Sequence, residues 1–164
     1  MINMIEKKEK DKKAPPAEIT KFEGYFEFLS NEYNCKVEYD NYVFQSASAL
    51  FYAFKAKTQG AFMKFQRLSP LKAKSKSQKL EYNEDYEKNK KYYLKKAVNA
   101  KFTSNPDLKL RLLKTGNTIL VNTITHLDTW IGVKNNIGEN MLGKVLMELR
   151  SQYFEERKNN NEFA

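Results

Sequence analysis

Gly138-Glu139-Asn140-Met141-Leu142-Gly143-Lys144-Val145-Leu146-Met147-Glu148-Leu149-Arg150 is the stretch on which the fold reading turns. From Met141 onward, Leu142, Val145, Leu146, Leu149 and Tyr153 recur at helical spacing, which predicts a helix to about Arg157 with one buried face. Gly138, Asn140 and Gly143 crowd its start, where asparagine caps exposed amides and glycine lets backbone approach closely. Amides at a helix start also favour phosphate or carboxylate. Just upstream, Asp128-Thr129-Trp130-Ile131-Gly132 lies in a loop predicted over residues 126–138, and far up the chain Phe28-Leu29-Ser30-Asn31 closes on a turn-forming pair.

Outward from there the pattern is mostly helical. Ile119-Leu120-Val121 reads as a short buried strand, and Asn105-Pro106 as a helix start with Gly116 as its stop. A long helix is predicted from Asn83 to about Phe102, and a short one from Ala61 to Leu68 that ends ahead of Pro70. A lysine-serine segment lies between Pro70 and Asn83. Ser46 caps a predicted helix through about Thr58, with Ala47, Leu50, Phe51 and Phe54 inward and Gly60 as its end. Phe22–Phe28 and Lys36–Phe44 read as short strands, with a hairpin turn at Asp40-Asn41. Residues 1–18, rich in lysine and acid with Pro15-Pro16, are expected to form a disordered tail; residues 19–157 form the domain and residues 158–164 a polar tail. The expected architecture is a compact, helix-dominated α+β domain with a few short strands.

Bulk properties narrow the function classes. The 164 residues suit one domain, and 11 Phe with 10 Tyr supply apolar area for one core. No run nears the roughly 20 apolar residues of a membrane helix, and the lysine-rich start lacks a signal peptide's apolar stretch, so a soluble, cytoplasmic protein is expected. The single Cys35 excludes an intramolecular disulfide and is expected to be a small apolar residue; with one histidine, a metal site is not expected. The formal charge of +9 concentrates in residues 55–101, where 14 Lys or Arg face four acids. Such a stretch either solvates helix faces or attracts phosphate, on a small nucleotide or through nonspecific contact with nucleic acid.

Ser30-Asn31, Asp128 with Trp130 and Gly132, and Gly138-x-Asn140-x-x-Gly143 together resemble the NADAR (YbiA-like) family over roughly residues 19–153. The resemblance implies a compact α+β fold. It also implies hydrolysis of N-glycosidic bonds in early riboflavin-pathway intermediates, ADP-ribose-type adducts or related ribosides, with no cofactor and no metal. In that light the ligand is a ribosyl phosphate or ADP-ribose-type molecule, Asp128 is catalytic, and Ser30, Asn31, Lys55, Tyr86, Trp130, Gly138 and Asn140 bind substrate. Lys72, Lys74 and Lys76 fall where the family carries basic residues thought to meet phosphate, although Ser77-Gln78 replaces its Gly-Arg pair.

One departure bears on activity. Ser48-Ala49 stands where the family usually has a Glu-His pair, and neither residue can act as a carboxylate acid or base. Glu32, in place of the phenylalanine usual after Ser-Asn, is the candidate surrogate. Each motif also has a purely structural reading: Ser30-Asn31 as a turn, Trp130 and Tyr86 as core, Asp128 and Asn140 as caps, Gly143 as packing space. Two other functions stay open, a non-catalytic nucleotide- or ADP-ribose-binding module and a basic nucleic-acid-associated protein.

Overall fold

A computed structural model describes residues 16–162. The expected disordered tail falls mainly on residues 1–15, outside the described residues. Glu18–Ile19 (β1) already pairs in parallel with Ile119–Leu120 (β4), Ile19 opposite Leu120. The hairpin of Val37–Tyr39 (β2) and Tyr42–Phe44 (β3) turns at Asp40 and Asn41, whose φ of 48° and 67° suit a tight two-residue turn. The rest is helical: α1 Ala47–Ala53, α2 Gln59–Met63, α3 Pro70–Gln78, α4 Asp85–Lys88, α5 Lys90–Ser104, α6 Pro106–Lys114 and α7 Met141–Glu162. The molecule is therefore the α+β, helix-dominated fold that the pattern predicts.

α1 is the central element. Ala47, Ala49, Leu50 and Ala53 are fully buried, as a helix covered on all sides requires, and their small side chains let α3 and α5 pack close. Ser46 caps it, its Oγ accepting from the Ala49 amide at 3.0 Å. A second free amide of that first turn, Ser48 N, donates to Asn31 O at 2.8 Å. The Ser30-Asn31 turn is thereby fixed over the start of α1.

Several local expectations change. Phe22–Phe28 is not a strand: Gly24, at φ 57°, breaks extension, and Gly24–Leu29 winds into a 3-10 turn that buries Phe28 and Leu29. Gly60 does not end α1 but lies inside α2, which Thr58 caps through Ala61 N. The lysine-serine segment is α3, started by Ser69 as cap and Pro70 in the first turn. The helix predicted from Asn83 breaks at Asn89 into α4 and α5. Asn105 does not cap α6; its Nδ2 donates to Lys36 O at 2.7 Å and to Lys101 O at 2.8 Å, closing the end of α5 instead. α7 continues past Arg157 to Glu162.

Candidate functional site

A cleft of about 240 Å³ opens between the Ser30–Glu32 turn, α1, α3 and the loop that follows β4. Of the sequence-predicted residues, Ser30, Asn31, Glu32 and Asp128 line it, together with Ser48 and Lys74. Asn31 is 5 % exposed and its Nδ2 donates to Ser48 Oγ at 3.4 Å, while its Oδ1 has no hydrogen-bond partner among the described residues. A buried, unpaired acceptor is costly unless something fills the space before it.

The turn is held from beneath by a residue that sequence reasoning placed among solvated lysines. Lys101, 1 % exposed, sends its ammonium to Phe28 O and, at 2.8 Å, to Ser30 O. Burial pushes it down to about 8, with nearby Cys35 opposing the shift. No periodicity marks it, because only the fold reveals that this face of α5 meets a loop's carbonyls.

Asp128 Oδ1 accepts from the amides of Trp130 at 3.2 Å and Ile131 at 3.4 Å, so the carboxylate sits inside its own tight turn. The Asp128 amide donates to His126 Nδ1 at 3.2 Å. His126 and Tyr52 also line the cleft and were missed as site residues. A signal for Tyr52 exists: it stands four residues after Ser48, on the same face of α1. Its phenol is pushed up to about 12, first by burial and then by the negative charges of Asp128 and Glu32, so both carboxylates bear on one point.

The other candidates lie elsewhere. Tyr86 is 2 % exposed, stacked on Tyr93 with centroids 5.6 Å apart, and donates to Phe51 O at 3.4 Å. Trp130 is half-buried, parallel to Phe51 at 6.2 Å, with Lys90 Nζ 4.3 Å from its ring centre. Lys55 stands over Tyr82 at 5.1 Å and Tyr86 at 5.8 Å. Asn140, at φ 51°, receives the Asn122 amide on Oδ1 at 2.8 Å and donates from Nδ2 to Leu120 O at 3.0 Å, tying the start of α7 to β4. Gly138 has φ 147°, and a Cβ on Gly143 would come within 2.2 Å of Leu120 O, so both glycines serve close backbone contact. The first amides of α7 are taken by the loop, Met141 N by Trp130 O at 3.0 Å and Leu142 N by Ile131 O at 3.1 Å.

The lysine-rich middle is dispersed. Lys91 and Lys95 pair with Glu148 at 2.7 and 3.4 Å, Lys96 reaches Tyr39 Oη at 3.1 Å, and Lys74 turns toward the cleft. Among the described residues no helix is long and apolar enough to cross a membrane, and no group of three or more His, Cys, Asp or Glu is placed to hold a metal.

Comparison with known proteins bears on the fold and the family. The fold is similar to that of the E. coli protein YbiA, solved by NMR, with a TM-score of 0.76, 26 % identity and 85 % of each chain covered. The riboflavin biosynthesis protein PYRR, chloroplastic, of Arabidopsis thaliana is 42 % identical over 72 residues, 44 % of this chain, and its Zea mays counterpart is 37 % identical over 68 residues, 42 % of this chain. These matches span only 12 % and 11 % of the two plant proteins. The NADAR domain model matches residues 9–153, nearly the whole of the chain, which therefore belongs to the NADAR domain family.

Proposed function

We propose that the chain is an N-glycosidase that hydrolyses the N-glycosidic bond of a phosphorylated riboside, either a riboflavin-pathway intermediate or an ADP-ribose derivative. The observation that carries this reading is the convergence of Asp128 and Glu32 on one cleft with Ser48 and the unpaired Asn31 acceptor. Glycoside hydrolysis passes through a sugar cation, which a carboxylate stabilises while another takes a proton from water. Asp128, held by two amides, is the stabilising charge, and Glu32, exposed at the cleft rim, is the base. Asn31 orients the ligand, and Lys74 meets the phosphate. Phe22 and Tyr52 are the aromatic side chains lining the cleft, so contact with the base falls to them, with Tyr86 and Trp130 supporting that wall through Phe51. The plant relatives' name supports the riboflavin branch, and a cytoplasmic setting fits the lone free cysteine.

The test is release of free base from a panel of riboflavin-pathway intermediates and ADP-ribose adducts, followed by liquid chromatography. Turnover that disappears in Asp128→Ala is expected. Binding without turnover would overturn the glycosidase reading in favour of a non-catalytic nucleotide- or ADP-ribose-binding module, which Ser48 at the family's glutamate position favours.

A further inference from the structure

The chain carries a formal charge of +9, yet its cleft inverts that sign: Glu23, Glu32 and Asp128 line it against Lys74 alone. The cleft's proton donors also suit a leaving base poorly, the one ammonium, Lys74, being the group that meets the phosphate in the proposed reaction. Ser48 supplies a hydroxyl where a carboxyl would stand. His126 has its Nδ1 engaged by the Asp128 amide at 3.2 Å, which leaves one ring nitrogen to face the cleft. Tyr52 is a phenol pushed up to about 12, a weak acid. A neutral heterocycle leaves a sugar as an anion unless it is protonated, whereas a heterocycle whose glycosidic nitrogen is already cationic leaves as a neutral molecule.

Resting on the glycosidase reading, we infer that the substrates are N-glycosides whose base already carries a positive charge, such as pyridinium or N-alkylated purine ribosides. The carboxylates attract the charged base, and the buried unpaired Oδ1 of Asn31, independent of them, offers an acceptor to a polar group on the ligand. In the reaction, water oxygen bonds to the anomeric carbon as the carbon–nitrogen bond breaks. The bonding pair moves onto the ring nitrogen and cancels its charge, and the proton lost by water goes to the Glu32 carboxylate. No acid is consumed.

Matched pairs test this directly. Nicotinamide mononucleotide against its neutral 1,4-dihydro form, and 7-methylguanosine 5′-phosphate against guanosine 5′-phosphate, share a sugar phosphate and differ in the charge of the base. Expected is at least a 100-fold preference in kcat/KM for the cationic member of each pair, and at least tenfold tighter binding of it by calorimetry. Glu32→Gln should reduce the binding preference severalfold. Equal treatment of both members overturns the inference while leaving a glycosidase in place. Absence of turnover with the binding preference intact overturns the glycosidase reading and leaves the cleft cation-selective; absence of both overturns the two together.

Discussion

Asn31 and Ser48 are joined twice, the Ser48 amide to the Asn31 carbonyl at 2.8 Å and the Asn31 Nδ2 to the Ser48 hydroxyl at 3.4 Å. The turn therefore holds a polar side chain against the α1 position at which the proposed acid–base set would gain a carboxylate. Ser48→Glu places that carboxylate beside Asn31. Turnover of neutral ribosides is expected to rise at least tenfold, while burying the new charge costs about 1–3 kcal/mol of stability. Steady-state kinetics and urea unfolding read the two effects separately, and unchanged turnover of neutral ribosides would remove Ser48 from the account of substrate choice.

Asp128 holds its own turn and, in the proposed reaction, carries the stabilising charge, and different substitutions separate the two. Asp128→Asn keeps an acceptor for the Trp130 and Ile131 amides, so stability should hold within about 0.5 kcal/mol while kcat falls at least 100-fold. Asp128→Ala loses the turn as well and should cost about a further 1–2 kcal/mol. Equal loss of stability in both would mean that the charge itself holds the turn.

Lys101 gives stability a pH dependence of unusual sign. Its folded pKa of about 8 lies below the ordinary 10.5, so between those values the unfolded chain binds more protons than the native one. Stability from this group is therefore lowest below pH 8 and rises toward pH 10.5, by up to roughly 3 kcal/mol. Lys101→Met should abolish that rise and, by stranding the Phe28 and Ser30 carbonyls, cost about 2–4 kcal/mol at pH 7. Urea midpoints of both proteins from pH 7 to 10, measured in a Cys35→Ala background that removes the titrating neighbour of Lys101, decide the matter.

Gly143→Ala sets a methyl against the Leu120 carbonyl and both terminal atoms of Asn140. Backbone cannot yield there as a flexible side chain would, so destabilisation of about 1–3 kcal/mol is expected, with a raised KM because β4 leads directly into the Asp128 loop. A thermal midpoint unchanged within a degree would contradict this packing role.

What the sequence made legible depended on local chemistry. The Asp40-Asn41 hairpin, the Ser46 cap and the apolar stripe of α7 each announce themselves within a few residues, and the structure has all three. α3 was missed because its turns carry lysine and serine rather than an apolar stripe, although Ser69-Pro70 is a sound start signal. Phe22–Phe28 misled because aromatic residues there suggest extension, and Gly24 at positive φ redirects the chain. At the site, the Ser30–Glu32 turn and Asp128 were readable as motifs. Tyr52 carried a spacing signal, four residues after Ser48 on the same helix, whereas Lys101 and His126 carried none, since each owes its place to a partner far along the chain or to a loop's path.

The pairing of Ile19 with Leu120 joins positions about a hundred residues apart, at the strand from which the loop carrying Asp128 leaves. Closing so long a stretch of chain costs entropy that nearer contacts do not. The bundle of α1, α3 and α5 can assemble from neighbours, whereas the cleft waits for the two ends of the domain to meet. Pulse-labelled hydrogen exchange during refolding should therefore protect Leu94 and Val98 before Val121, whose amide donates to Ile19 O. Among the described residues, the cleft is then the last part to come into existence.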